Sequence, residues 1–263
     1  MNNSLVTERR AASPAAVALT WVGFGLAVIG ALLVLTPGPG YRVHLWSLGA
    51  AFAMIRWGAY CGGAAAILSL LAAILLFAGR GTRACRSFAV IGIAVGALAI
   101  GVPWAWLQHA RRVPPIHDIS TDTDSPPAFQ AVLAKRRDMP NSPEYGGSEV
   151  ARQQHAAYPD IKPIALNLPT GRVFQAALAV AKDSGWKIQA QDRMAGRIEA
   201  TDTTFWFGFK DDVVILIRPH DTGSIVDVRS QSRIGKSDLG KNADRVRSFA
   251  RRLKARLTAP VTH

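Results

Sequence analysis

Apolar and polar positions alternate on very different scales in the two parts of this chain. Residues 14–35, 57–79 and 87–107 form three uncharged apolar stretches, each at or above the roughly 20 residues that a helix needs to cross the hydrocarbon core of a bilayer. A cleaved signal peptide is the competing reading of the first stretch. Its apolar run is longer than the core of such a peptide, and no small-x-small cleavage site follows it, so it is read as an anchor. Residues 45–55 are also apolar, with Tyr41, Arg42 and Trp46 at or just before their start. Two placements fit them: along the membrane interface, or as an outward extension of the second helix.

From 113 to 168 the pattern stops. Prolines at 114, 115, 126, 127, 140, 143, 159 and 163 interrupt any long regular element, which predicts an extended linking segment with one helix near 128–137. Asp118, Asp122 and Asp124 alternate with hydroxyl residues there. The spacing lacks the glycine and the distal glutamate of a calcium loop, so it reads as acidic turn structure.

Regular periodicity returns at 169. Val173, Phe174, Ala177, Leu178 and Ala181 recur at helical spacing up to Gly185, and Val246, Phe249, Ala250, Leu253 and Leu257 form a second stripe in a helix over 243–257. Between them lie four strand-like runs, 186–191, 196–204, 213–217 and 225–232, with 221–224 as the turn between the last two. The order αββββα predicts an α+β domain over 169–263, an antiparallel sheet with both helices on one face. The expected organisation is a membrane anchor over 1–112, a proline-rich extended segment over 113–168, and this domain.

Charge sharpens the division. Nine arginines against Glu8 give residues 1–112 a charge of +8, and the remaining 22 basic and 17 acidic residues give +5, which together make the net +13. Most of the basicity thus belongs to the membrane part, where arginine collects at helix ends, so the high isoelectric point does not point to nucleic acid. Arg9 and Arg10 precede the first helix and Arg80, Arg83 and Arg86 fill the second connection, against Arg42, Arg56, Arg111 and Arg112 on the other side. The positive-inside rule places the N-terminus in the cytoplasm and, after three crossings, the domain outside: in a bacterium, an inner-membrane protein with a periplasmic domain. Small residues at 27 and 31, 58 and 62, and 92 and 96 would let helices pack closely, within the chain or across a dimer. Cys61 and Cys85 are the only cysteines, so the domain holds no disulfide framework or zinc cluster, and neither metal nor cofactor is expected.

The candidate chemistry gathers around the last hairpin. A turn near Asp221 and Thr222 sets Asp211 and Asp212 beside Gln231 and Ser232, near Arg229 and Arg233. Gly235 and Gly240 then permit a tight loop carrying Ser237 and Asp238, with Asn242 as an N-cap for a helix that bears Arg245. Together with Ser230, these residues form the candidate ligand-binding set. A helix N-terminus beside Arg229, Arg233 and Arg245 suits an anion, whereas internal pairing of the same residues would make the cluster structural.

The segment FGFKDDVVILI at 207–217 and the longer VRSQSRIGKSDLGKNADRVRSF at 228–249 resemble the family called domain of unknown function 1499, found in bacterial membrane proteins and plastid proteins. The resemblance begins near PPIHDISTDTDSPPAF at 114–129 and covers about the last 150 residues. It implies a domain often tethered behind membrane helices, without an established activity. The cysteine-bearing opening motif of plastid and cyanobacterial members is missing here, so no role of those cysteines carries over. Three functions are therefore expected in this order. The first is a periplasmic module that binds an anionic ligand, a lipid head group or an envelope protein. The second is a structural subunit of a larger membrane complex. The third is a hydrolase using Ser230 or Ser232 with His220 or His117, for which no Gly-x-Ser-x-Gly or HExxH motif speaks.

Overall fold

The computed structural model describes residues 13–79 and 81–258, which leaves Arg9, Arg10 and Arg80 outside the described residues. The chain divides into two compact units, 1–108 and 109–263.

In the first unit, α1 (Pro14–Leu35) is followed by one short helical turn, α2 (Pro37–Arg42), and then by α3 (Leu48–Ala78) and α4 (Arg83–Ala110). The three long helices are each apolar enough to cross a membrane. Their inward faces are small: Gly23, Ala27 and Gly30 of α1, Gly58, Gly62, Ala65 and Ser69 of α3, and Gly92, Gly96 and Ala99 of α4 are buried. A Cβ on Gly62 would come within 2.7 Å of the Ala99 Cβ, and one on Gly30 within 3.0 Å of the Gly58 carbonyl. The small residues thus serve packing within the chain. Larger apolar side chains such as Trp21, Ile67, Phe77 and Leu98 point outward, as expected where the solvent is lipid and burying them gains nothing.

Residues 48–55 belong to α3, whose start is capped by the Ser47 hydroxyl accepting from the Ala50 N–H at 3.2 Å. A Cβ on Gly58 would meet Val34 at 2.8 Å, so α3 is level with the end of α1 only at about residue 57. The first turns of α3 run on past α1. Trp57, Tyr60, Trp104 and Trp106 are all exposed, and rings of this kind collect at lipid–water boundaries.

The second unit is an α+β domain built on a six-stranded antiparallel sheet of order β1-β6-β5-β4-β3, with β2 also paired to β6. The four expected strands are present as β3 (Lys187–Asp192), β4 (Arg197–Thr203), β5 (Lys210–His220) and β6 (Gly223–Ser232). Two more come from the proline-rich segment. β1 (Asp118–Ser120) lies along residues 229–231 of β6, and β2 (Ile164–Leu166) along residues 224–226. Only three residues long, each fits between prolines and closes off what would otherwise be a long exposed edge. Gly223 is required by this pairing, since a Cβ there would stand 2.1 Å from the Leu166 carbonyl oxygen.

The helix expected near 128–137 is reduced to a single 3-10 turn, Leu133–Lys135. Glu199, fully buried in β4, takes the N–H groups of Gln130, Ala131 and Val132 at 2.9, 2.9 and 3.2 Å, which pins this stretch against the sheet. A helix α5 (Gly147–Ala157) forms instead in a polar stretch with no strong apolar stripe and buries Gln154. Its amide clamps the backbone of Ser120, accepting at 2.9 Å and donating at 2.6 Å.

Helices α6 (Thr170–Asp183) and α7 (Lys241–Thr258) cover one face of the sheet. Ile198, Ala200, Val213, Ile215, Ile217, Val226 and Val228 point toward them and pack with Val173, Phe174, Ala177, Val246, Phe249 and Leu253. The other face is covered by residues 127–145, which run across it as a strap, with Phe129 and Val132 packed on Val214.

Candidate functional site

The β5–β6 hairpin turns at Asp221 and Thr222, with Asp221 at a φ of 46°, and its register places Asp211 opposite Ser232 and Asp212 opposite Gln231, as the turn position implies. Successive strand residues face opposite ways. The predicted cluster is therefore two clusters, one on each face of the sheet.

Beneath the strap, Asp212 receives both forks of Arg233 at 2.8 Å, Arg136 at 2.9 Å and the Thr201 hydroxyl at 2.8 Å. Burial pushes its pKa up, but the bonds from Arg233, Thr201 and Arg136 outweigh this and hold the carboxyl below the ordinary range. Arg229 does not reach Asp211 or Asp212. It pairs in a bidentate manner with Asp118 of β1 at 2.9 and 2.8 Å, and Gln231 donates to the same carboxylate at 2.9 Å. For Asp118, burial wins and its pKa is raised. The Phe129 ring lies against both guanidiniums, Arg229 at 4.8 Å and Arg136 at 5.3 Å, and Tyr145 stacks on Arg229 at 5.5 Å. Burial also lifts the Tyr145 hydroxyl to a pKa of about 12.

On the helix-covered face, Arg245 of α7 bridges Asp211 and Asp202, at 2.7 Å each. Those two carboxylates raise its pKa despite burial. Arg245 also donates to the Ser230 hydroxyl at 3.1 Å, Ser230 donates to the Asn242 amide oxygen at 2.7 Å, and the Asn242 NH2 donates to Ser232 at 3.0 Å and to the His117 carbonyl at 2.9 Å. Both serines are thus tied to Asn242 within the buried core. The cap of α7 is Asp238, not Asn242. Its carboxylate accepts from the N–H groups of Gly240 at 2.8 Å and Asn242 at 2.6 Å, while Asn242 lies inside the first turn. Ser237 accepts from the Leu239 N–H at 3.2 Å in the same loop. Burial raises the pKa of Asp238 against the pull of those two N–H groups.

Three charged partners in these clusters escaped sequence reasoning, Asp118, Arg136 and Asp202, as did the Thr201 hydroxyl. Asp118 and Arg136 come from the proline-rich segment, about 75 to 115 residues from the groups they contact, and only the alternation within β4 could have pointed to Asp202. Against the helix-covered cluster, an open groove of about 270 Å³ runs along the first half of α7, lined by Asp202 and Arg245 of that cluster and by Trp186, Phe249 and Arg252. Among the described residues no group of three or more His, Cys, Asp or Glu is placed to hold a metal ion.

A search of curated proteins finds no match to the chain. The model of the family described as "Protein of unknown function (DUF1499)" matches residues 118–253, just over half of the chain. The match starts at Asp118, the first residue of β1, and takes in every strand, the strap and most of α7. On that match the chain belongs to the DUF1499 family.

Proposed function

We propose that this protein is a membrane-anchored binding module whose domain recognises an anion-bearing ligand at the outer face of the bacterial inner membrane. The observation that carries the reading is the sharing of one carboxylate by two buried arginines beneath the strap. Arg136, Arg229 and Arg233 are buried there with only Asp118 and Asp212 as direct carboxylate partners, and the buried Nε of Arg136 has no hydrogen-bond partner. Glu199, a further buried carboxylate on that face, is taken up by three backbone N–H groups, so Arg136 and Arg233 share Asp212, and an anion recruited near Arg233 would complete their partnering. Lys135, Lys210 and Lys236, exposed around the same end of the sheet, would raise the local anion concentration. The helix-covered cluster does not support the reading in the same way. There Asp202, Asp211 and Asp238 surround Arg245, and the α7 N-terminus is already capped by Asp238. The wiring of Ser230 and Ser232 to Asn242 and Arg245, rather than to a histidine, disfavours the hydrolase.

The test is an anion titration of the full chain in detergent micelles, with phosphate, sulfate and short-chain phosphatidylglycerol followed by thermal unfolding. A ligand that binds only the folded state raises the melting temperature by mass action. The rise should disappear in Arg233→Gln. No rise with any of the three, or an equal rise in the variant, overturns the reading. A response to phosphatidylglycerol alone would identify a head group, and an equal response to phosphate would identify a small free anion. The periplasmic placement rests on Arg83 and Arg86 in the first turn of α4, together with Arg9, Arg10 and Arg80.

A further inference from the structure

We propose that the loop between β4 and β5 is a membrane-docking tip, which holds the basic end of the sheet against the bilayer that anchors the chain. Residues 204–209, Thr-Phe-Trp-Phe-Gly-Phe, place four aromatic rings in six positions. The loop is tightly built. Thr204 N–H donates to the Phe209 carbonyl at 2.8 Å, Gly208 N–H to the Thr204 carbonyl at 3.0 Å, and Phe209 N–H to the Thr204 hydroxyl at 2.9 Å. The Phe207 and Phe209 rings stack at 4.8 Å, and Trp206 meets Phe207 edge-on at 5.1 Å. Phe205 stands at the apex, 91% exposed. A rigid tip of this kind loses little conformational freedom when its rings leave water, and aromatic rings favour the head-group region of a bilayer.

Charge and connectivity select lipid as the occupant. Lys187, Lys210, Lys236 and Lys241 lie at this end of the sheet and are exposed, whereas Asp202, Asp211 and Asp212 of the same end are engaged by Arg245, Arg233 and Arg136. Aromatic rings among lysines suit an anionic lipid surface. A second copy of the same face would set lysine against lysine. The chain also joins the sheet at this end: the His117 carbonyl accepts from Ser232 N–H at 2.9 Å, and the Ile116 carbonyl from Asp238 N–H at 3.2 Å. Helix α4 ends at Ala110. Six residues of connection span at most roughly 20 Å when fully extended, so lipid head groups are within reach of this end.

The test uses the full chain in vesicles of phosphatidylcholine with phosphatidylglycerol, in a Cys61→Ala, Cys85→Ala background. A spin label is placed at Thr203→Cys, at the base of the loop with all four aromatics retained, and a control label at Met194→Cys, which is 97% exposed at the opposite end of the sheet. The label at 203 should collide with lipid-soluble oxygen and be several-fold less accessible to a water-soluble nickel chelate than the label at 194. Adding Phe205→Ala and Trp206→Ala should return it to the level at 194. Equal nickel access at the two positions, shielding that persists without the aromatics, or shielding from oxygen and nickel alike, as a protein partner would give, overturns the proposal. No ligand is added and no arginine is altered, so this outcome is independent of the anion titration.

Discussion

Replacing Asp212 by Asn removes one negative charge and strands two buried cations. Arg136 and Arg233 both depend on this carboxylate, at 2.8 to 2.9 Å, and neither it nor Arg136 is more than 1% exposed. Breaking one buried ion pair from one side costs about 3–5 kcal/mol, because the partner charge stays out of water. Here two pairs share the lost charge, whereas Asn retains an acceptor oxygen, so the expected cost is about 4–5 kcal/mol. Asp211→Asn is the internal comparison. Arg245 keeps Asp202 at 2.7 Å, and one of three neighbouring carboxylates is removed, so about 1–2 kcal/mol is expected. The exposed pair Asp183 and Arg256, at 2.6 Å, should contribute about 0.5 kcal/mol or less. Hydrogen exchange of the full chain, read on peptides from β5 and β6, resolves these differences, since each 1.4 kcal/mol changes protection about tenfold. Asp212→Asn should thus speed exchange there roughly a thousandfold. An effect no larger than that of Asp211→Asn would refute the assignment of Asp212 as the shared counter-ion.

Acid sensitivity should follow from the same carboxylate. The folded pKa of Asp212 lies below its unfolded value near 3.8, so its stabilisation is complete above about pH 4 and is lost as pH falls through the lower folded value. The acid limb of the unfolding curve should be shallower in Asp212→Asn. Phe249, 1% exposed and stacked on Trp186 at 5.8 Å, should cost about 3–5 kcal/mol when changed to Ala. Arg252→Ala, at the exposed face of α7, should shift stability by about 0.5 kcal/mol or less in the same thermal melts. In the membrane unit, Gly62→Val should weaken the α3–α4 contact, because even a Cβ meets Gly96 and Ala99 at 2.8 and 2.7 Å, whereas Gly25→Ala, with nothing within 4 Å, should be neutral. Detergent-dependent melting separates the two. A reporter active only outside the cytoplasm should work when fused after His263 and be silent near Thr82, and the reverse pattern would overturn the orientation.

Periodicity made the three long helices of the first unit, α6, α7 and the four long strands legible, because each signal is local: a stripe, an alternation or a length. The register of β5 on β6 followed from one turn. The proline-rich segment was harder to read. Its two strands have three residues each and become strands only because β6 presents an edge to them, and its expected helix yields to a tertiary contact, Glu199 on three consecutive N–H groups. Neither cause is local in sequence.

The candidate site was legible as a set of residues but not as a geometry, and the reason lies in the pleat. Asp211 and Asp212 are neighbours in the chain and face opposite sides of one sheet, so they never share a ligand shell: one serves Arg245, the other Arg233 and Arg136. Two carboxylates that seemed available to two arginines thus serve three, and Arg229 must be met from elsewhere. Asp118 meets it only because β1 pairs with β6 and brings the carboxylate to the same face. The strap then seals these charges under Phe129 and Tyr145. A segment that reads as a linker therefore supplies one carboxylate and one guanidinium to the cluster, and it alone makes that face of the sheet a buried charged layer.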